Sequence, residues 1–448
     1  LDDRPDRRRA RTHHPVPMNA APIRKVAAFL LALALAGGVA ACGGGSSSDG
    51  AGEQADATST TLGTEQEAAP TLPAGVEPAP DGDAFFQPHD PLTAGDPGTV
   101  IWAQPFAAFE DADGYRILYR SLDADGNTVA VSGMVLLPTD SAPDGTRPLA
   151  ASASSRGSIA DACTASHDPT YDRGNAEVGQ WSERANAQSL LRQGYAVVVP
   201  DYQGFGTPGP SPYLGGPSGG RNVLDSLRAL RTFVGPEAGD AVAVGDTQGG
   251  AAVLFAAEMA PTYAPDVDLV GVVATQPLAE LATLATAASD SPAFGYYLLA
   301  VSGLSVDHPE VRVESVLTET GLQAAAQYES TCGDQVTDAL SREDPGAYIR
   351  TPGESPAQIQ TALEANSPGV TATAIPIRLV HGRDVDLPPL IISQLLMARY
   401  CRIGTSHAEL AVYAGDGSGA SAVSEEDTTG WLQDRLEEVP ATATECLS

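Results

Sequence analysis

Apolar and polar positions along residues 115–274 follow two patterns, one typical of strands and one typical of helices. The first two apolar runs flank the turn residues 123–127, which predicts an antiparallel hairpin. After them, short and wholly apolar runs alternate with segments in which apolar residues recur every three or four positions. The predicted strands are residues 115–120, 129–137, 149–154, 196–199, 241–244 and 269–274, and the predicted helices are residues 181–193, 218–234 with Ser218 as the cap, and 250–259. This order predicts an α/β fold, with a mostly parallel sheet covered by helices on both faces behind an antiparallel start.

Between residues 275 and 368 the strand pattern disappears, and Ala-rich and Leu-rich helical patterns surround Cys332. The sheet pattern resumes at residues 377–380 and 408–413, and a last helix includes residues 431–436. We therefore expect one folded domain over residues 84–448, with an inserted helical cap over about residues 275–368. Because ligands bind at the carboxyl edge of such sheets, a cap there would cover a binding site.

The N-terminal pattern is that of an exported lipoprotein. Met18 precedes a short basic stretch and the apolar run 26–36, and small residues then lead to Val-Ala-Ala-Cys at 39–42, which resembles a lipobox. Within residues 1–41, residues 1–17 are interpreted as upstream read-through and residues 18–41 as a signal peptide. Cys42 is the expected lipid anchor, which would hold the protein on the extracellular face of the cell membrane. Ordinary secretion with an incidental cysteine is the alternative.

Residues 42–83 are rich in Gly, Ser, Ala, Thr, Glu and Pro and hold almost no large apolar side chains. Such a segment cannot offset its ordering entropy by burial, so we interpret it as a flexible linker between the anchor and the domain.

The charge balance bears on possible partners. Asp and Glu number 57 against 25 Lys and Arg, a formal net charge of -32. A nucleic-acid binder needs clustered Lys and Arg to displace counterions, so no nucleic-acid partner is expected.

Four cysteines follow Cys42, an even number in a chain expected to be exported, where disulfides persist. Two disulfides are expected, and three pairings are open on paper. We favour Cys163 with Cys332, and Cys401 with Cys446, since the second pair would fix the C-terminal tail beside a late helix. A metal site is the weaker alternative, because no two of these cysteines are close in sequence and no His clusters with them.

Several stretches resemble the secretory lipase family of the α/β-hydrolases. They are Tyr-Arg-Ser at 119–121 with Val-Ala-Val-Ser-Gly at 129–133, GYAVVVPDYQGFGTPG at 194–209, and GRNVLD at 220–225. The resemblance covers residues 102–436 and implies hydrolysis of lipid-like esters, secretion, no cofactor and a helical cap.

In the nucleophile position of this family, the elbow at residues 245–249 reads Gly-Asp-Thr-Gln-Gly, and Thr247 replaces serine. The extra methyl of threonine crowds a turn whose central residue adopts positive φ. Threonine nucleophiles usually rely on their own free amine, which an internal residue lacks. We therefore favour Thr247 as a structural elbow residue over a working nucleophile. Asp246 lies one residue early for an aspartyl nucleophile.

The family's acid falls on Val385, and Asp384 and Asp386 flank it. Either carboxylate would serve if the loop is shifted, and Asp384 is preferred because its spacing from the following proline indicates that the loop has lost a residue. A solvated acidic turn is the alternative. His381 corresponds to a turn residue of the family rather than to its base.

The family's histidine position holds Ser418, in a Gly-rich turn before the last helix. No histidine follows His407 in the sequence, and His407 precedes the strand at 408–413, about 20 Å from the catalytic edge at about 3.3 Å per residue. Asp416 would be a weak base at best, since an unperturbed aspartate has a pKa of about 3.9.

The oxyanion loop at residues 153–158 has Arg156 where the family has histidine. Backbone donors at Gly157, Ser158 and Gln248 would survive, because they do not depend on the side chain. The leading hypothesis is a degenerate hydrolase that binds an apolar ester or lipid. The rival is an active carboxylic ester hydrolase that uses Thr247 with a relocated base, and a purely structural envelope protein comes third.

Overall fold

The computed structural model describes residues 70–89, 91–93, 95–109, 111–142, 145–153, 158–167, 178–415, 417–444 and 446. All of them belong to one compact unit. The expected signal peptide, Cys42 and the linker up to residue 69 lie outside the described residues. No helix among the described residues is long and apolar enough to cross a bilayer.

The described residues form a nine-stranded sheet in the order β1-β2-β3-β5-β4-β6-β7-β8-β9. The strands are β1 (Val100–Phe109), β2 (Ala112–Leu122), β3 (Thr128–Pro138), β4 (Arg147–Ala153), β5 (Ala196–Pro200), β6 (Ala238–Asp246), β7 (Leu269–Thr275), β8 (Ile377–Gly382) and β9 (Ala408–Tyr413). Strands β1, β2, β3 and β5 pair antiparallel, each with the next in that order. Strands β5, β4, β6, β7, β8 and β9 pair parallel, each with the next in that order. The structure confirms the predicted α/β fold, including its antiparallel start.

Helices cover both faces of the sheet because the buried strands are apolar on both sides. Ala241 and Ala243 of β6 share an apolar cluster with the helices of one face, and Val242 and Val244 share a cluster with those of the other. On the first face lie α2 (Gly216–Val234), α3 (Gln248–Tyr263) and α10 (Leu390–Ile403), and on the second lie α1 (Val178–Arg192) and α11 (Gly417–Leu436).

The chain between β7 and β8, which the structure describes throughout, forms a helical cap around an apolar cluster that Tyr213, between β5 and α2, also enters. Its helices are α4 (Leu281–Ser289), α5 (Phe294–Asp307), α6 (Glu319–Gln327), α7 (Gly333–Leu340), α8 (Pro345–Tyr348) and α9 (Ala357–Ala365). The helical insertion expected over about residues 275–368 is therefore present.

The structure differs from the sequence-based elements at several boundaries. Ser218 is not a helix cap: α2 begins at Gly216 with Gly215 as its cap, and the Ser218 hydroxyl donates to Asp307 instead, at 2.8 Å. Residues 70–83, which the sequence places in the linker, contact the sheet, since the Ala79 amide donates to the Ala103 carbonyl at 2.9 Å. Both differences arise from contacts between segments far apart in the sequence, which a local residue pattern does not reveal.

Two disulfides are present, Cys163–Cys332 and Cys401–Cys446. They are the two pairings favoured from the sequence. The second one ties the C-terminal tail to α10, and the first one connects the core domain to the cap.

Candidate active site

The residues expected to form the site follow strands that end at the same edge of the sheet. Register pairs Ala153 of β4 with Gly245 of β6, Thr275 of β7 with Val380 of β8, and Gly382 with Tyr413 of β9. Since these strands are parallel, their carboxyl ends meet at one edge. The elbow, the loop after β8 and the start of α11 therefore emerge on the same side of the molecule.

Thr247 adopts the strained backbone of a nucleophile elbow. Its φ is 45° and its ψ is -102°, between the last residue of β6 and the first residue of α3. Positive φ is a rare conformation for a β-branched residue. The turn is also tight at Gly245, where a Cβ atom would lie 2.2 Å from the Gly249 carbonyl oxygen. The elbow is thus preserved with threonine in place of serine.

The Thr247 hydroxyl is buried and has no hydrogen-bond partner among the described residues. Its backbone is firmly held, because the Thr247 amide donates to the Thr275 carbonyl at 2.9 Å and the Leu278 amide donates to the Thr247 carbonyl at 3.0 Å. No described side chain is in position to accept the hydroxyl proton.

Asp246 is a second buried polar group at the elbow. Its Oδ1 atom is inaccessible to solvent and unpaired within the described part of the chain. Burial raises the pKa of the Asp246 carboxyl to about 6, and the hydrogen bond from the Thr247 amide lowers it only in part. Strand alternation places Asp246 on the same face as Val244, toward the cluster shared with α1 and α11.

The acid position is occupied by an exposed turn. Asp384 and Asp386 are both exposed, and Val385 between them is half-buried. The Asp384 amide donates to the Gly415 carbonyl at 3.0 Å, which anchors the loop backbone beside the end of β9. Neither carboxylate has a hydrogen-bond partner among the described residues, so neither orients a base there.

His381 has a structural role in this loop. The ring is fully buried; Nε2 lies 3.1 Å from the Pro388 carbonyl and Nδ1 lies 2.8 Å from the Ser393 hydroxyl. Because a carbonyl can only accept, Nε2 carries the proton and Nδ1 accepts from Ser393. Burial lowers the pKa of His381. The ring therefore joins the loop to α10 as a neutral spacer.

None of the histidines in the described ranges contacts Thr247, since each has its nearest partners elsewhere. The contacts are His89 with Trp102, His167 with Phe86, His308 with Asn366, His381 with Ser393, and His407 with Thr442. Ser418 is predicted to lie in a turn before the last helix, but α11 begins at Gly417 and contains Ser418 in its first turn. Asp416 lies outside the described residues.

The oxyanion residues are seen in part. Gly157 and Arg156 lie outside the described residues. Ser158 is buried, and its hydroxyl accepts from the Ala160 amide at 3.0 Å. Gln248 is the first residue of α3 and is buried, so its amide lies at the positive end of that helix. This arrangement suits a partial negative charge on a ligand oxygen.

Beside the elbow lies a small cavity of about 20 Å³, which has room for about one water molecule. Asn222 and Asn366 line it together with Gln248, Tyr202 and Ser218. Asn366 accepts from the Gly216 amide at 2.7 Å and so ties the end of α9 to the start of α2. Asn222 enters the sequence analysis only as part of the stretch 220–225, and Asn366 is not singled out there, because the two asparagines are 144 positions apart. The described residues contain no group of three or more side chains suited to holding a metal ion.

Comparison with known proteins decides the family. A family model described as secretory lipase matches residues 181–444. The chain belongs to the secretory lipase family. Among the relatives in this family, Lipase A of Arthroderma benhamiae is 25% identical over 395 residues, which is 80% of each chain. A secreted triacylglycerol lipase of Malassezia globosa is 29% identical and covers 54% of each chain. A protein of Mycobacterium tuberculosis named a probable inactive lipase is 28% identical over 61% of this chain and 63% of its own length.

Solved structures show that this member of the secretory lipase family has an α/β-hydrolase fold. Lipase A of Candida antarctica in its closed state superposes with a TM-score of 0.66 at 19% identity, over 78% of this chain and 84% of that one. A mutant of the rice cell wall degrading esterase LipA from Xanthomonas oryzae gives a TM-score of 0.63 at 16% identity, over 77% of this chain and 99% of that one. At these identities the likeness concerns the fold alone.

Proposed function

We propose that this protein is a non-catalytic member of the secretory lipase family that binds an apolar ester or lipid. The observation that carries the proposal is the buried Thr247 hydroxyl, which holds the nucleophile position without a hydrogen-bond partner among the described residues. Ester hydrolysis on this fold needs a base in contact with the attacking hydroxyl. Without that contact the elbow can present donors to a ligand oxygen but cannot generate an alkoxide.

The other two positions of the triad support the same conclusion. The expected acids, Asp384 and Asp386, are exposed, and neither carboxylate is paired with a described histidine. Ser418 replaces the family's histidine and lies within α11. A triad with all three members altered retains only oxyanion stabilisation, which in triad-deleted proteases leaves on the order of 10³ to 10⁴ over water.

The rival proposal is an active carboxylic ester hydrolase that uses Thr247 with a relocated base. One observation favours it: burial raises the pKa of Asp246 to about 6, close to the pH at which a base is useful. Against it, Asp246 follows Val244 onto the far face of β6 and does not accept a hydrogen bond from the Thr247 hydroxyl. We therefore rank this alternative second.

Location and ligand class belong to the same proposal. The relatives are named as lipases, one of them as secreted and one as a probable inactive lipase. These names support an exported protein that engages lipid or ester ligands. The lipobox at residues 39–42 supports an anchor at Cys42 that would hold the domain at the membrane surface.

Turnover of a short-chain nitrophenyl ester tests the proposal. We expect wild type and Thr247→Ala to give equal and very low rates between pH 5 and pH 8. A rate that falls to the buffer value in Thr247→Ala would establish Thr247 as a nucleophile and overturn the non-catalytic assignment. Asp246→Asn supplies the second arm, since a relocated base at Asp246 predicts that this variant loses the same activity.

A further inference from the structure

The cap is joined to the core domain by a hinge on one side and a disulfide on another. The chain enters the cap after β7 and leaves it before β8. These two connections lie beside each other, because the Leu281 amide at the start of α4 donates to the Ser367 hydroxyl after α9 at 2.9 Å. They therefore form a single hinge rather than two separate supports.

Two buried or half-buried carboxylates fix this hinge to the core. Glu258 of α3 accepts the amides of Gly369, Val370 and Thr371 at 2.6, 3.1 and 3.1 Å. Glu280, at the start of α4, pairs with Arg399 of α10 through two contacts of 2.8 and 2.9 Å. The hinge is thus firmly seated, and any opening of the cap must pivot about it.

The Cys163–Cys332 disulfide holds the cap at a point remote from the hinge. Cys163 lies in the core, in the segment that follows β4, and Cys332 precedes α7 in the middle of the cap. Cys163 is buried against Ala160 and Phe205, whereas Cys332 is only partly buried. The Cys332 side is therefore the more exposed side of the bond.

The other described links between the cap and the rest of the domain are non-covalent: Tyr213 packs into the apolar cluster of the cap, and two hydrogen bonds join the cap to α2. The Ser218 hydroxyl donates to Asp307 at 2.8 Å, and the Gly216 amide donates to Asn366 at 2.7 Å. Individual hydrogen bonds of this kind break and re-form on the timescale of cap motions. With the disulfide closed, the cavity that Gln248 of the elbow lines measures about 20 Å³, too small for an acyl chain.

We propose that the Cys163–Cys332 disulfide is a redox-sensitive lock on the cap, and that its reduction opens the elbow pocket to apolar ligands. The ligand arm rests on the binding function proposed above. A dithiol reductant supplies the two electrons: its first thiolate attacks the disulfide, one cysteine leaves as a thiolate that takes up a proton, and the second thiol resolves the mixed disulfide. The products are two cysteine thiols and the oxidised, cyclic dithiol.

Hydrogen exchange on the full chain tests the lock without reference to any ligand. We compare wild type, Cys163→Ser/Cys332→Ser, and the matched control Cys401→Ser/Cys446→Ser, which removes the other disulfide. The expected result is about tenfold faster amide exchange in α4 to α7 for the first variant, whereas exchange in α4 to α7 of the control stays like that of wild type. Unchanged cap exchange in the first variant would overturn the proposal.

Two further measurements guard against misfolding and identify the ligand effect. Wild type reduced by a dithiol, with the cysteines identified by alkylation and mass spectrometry, must reproduce the faster cap exchange, and a failure to do so contradicts the lock. Decanoic acid is then titrated into each form, and we expect at least about tenfold tighter binding when Cys163 and Cys332 are unpaired. Faster exchange without any binding sustains the lock and contradicts the lipid-binding function.

Discussion

Asp246 and Thr247 are adjacent residues whose buried polar atoms lack partners in the described structure. Native proteins seldom leave such atoms unpaired, because each costs about 1–3 kcal/mol. A buried group of this kind calls for a specific explanation, such as a catalytic role or a bound water or ion. At the residue scale, the elbow is therefore a candidate functional site rather than an ordinary turn.

The pKa of Asp246 gives a prediction for stability against pH. Its folded pKa of about 6 lies above the reference value of 3.8, so the folded state binds the proton more tightly than the unfolded state. The contribution of Asp246 to the unfolding free energy is then greatest below pH 3.8 and falls as the pH rises to about 6, by on the order of 3 kcal/mol. We expect the unfolding free energy of Asp246→Asn, compared with that of wild type, to be more favourable at pH 8 than at pH 4.

Urea unfolding of both proteins at pH 4 and pH 8 measures this difference. The loss of a hydrogen-bond acceptor in Asp246→Asn changes the unfolding free energy equally at both pH values, so it cancels when the two are compared. The exposed Asp384→Asn is the matched control and should show no comparable pH-dependent difference. An equal change in unfolding free energy at the two pH values would show that the pKa of Asp246 is the same in the folded and unfolded states.

At the scale of elements, α3 joins the elbow to the hinge of the cap. Its first residue follows Thr247, and Glu258 near its C-terminal end accepts three amides of the segment 369–371 and the Tyr400 hydroxyl. Burial raises the pKa of Glu258, although these hydrogen bonds oppose the rise. One helix thus positions both the candidate site and the end of the insertion that covers it.

Glu258→Gln tests how much this contact stabilises the fold. The amide group of glutamine replaces one acceptor by a donor and leaves buried donors facing it. We expect a loss of about 3 kcal/mol in unfolding free energy at pH 7. Glu364→Gln, an exposed change in α9, is the control and should stay within about 0.5 kcal/mol of wild type. A similarly small loss in Glu258→Gln would show that the carboxylate does not fix the hinge.

For the whole molecule, the sequence predicts the parts that depend on local pattern. Wholly apolar runs such as residues 241–244 locate the buried strands, and the elbow motif locates Thr247. It does not predict that Ser218 lies inside α2, because its partner Asp307 belongs to the cap. Nor does it predict the burial of Asp246 or the Glu258 network, which depend on chain segments far apart in sequence.

The two disulfides connect different parts of the molecule, and the last prediction concerns the Cys401–Cys446 bond. It closes a loop of 45 residues between α10 and the C-terminal tail and does not involve the cap. Restriction of the unfolded chain by such a loop corresponds to about 4 kcal/mol. Cys401→Ser/Cys446→Ser should therefore lower the unfolding free energy by about that amount while ligand binding at the elbow stays unchanged. Guanidinium unfolding, with decanoic acid titration on the same samples, makes the comparison. A loss of binding in this variant would mean that the tail supports the pocket, because the bond itself lies outside the cap.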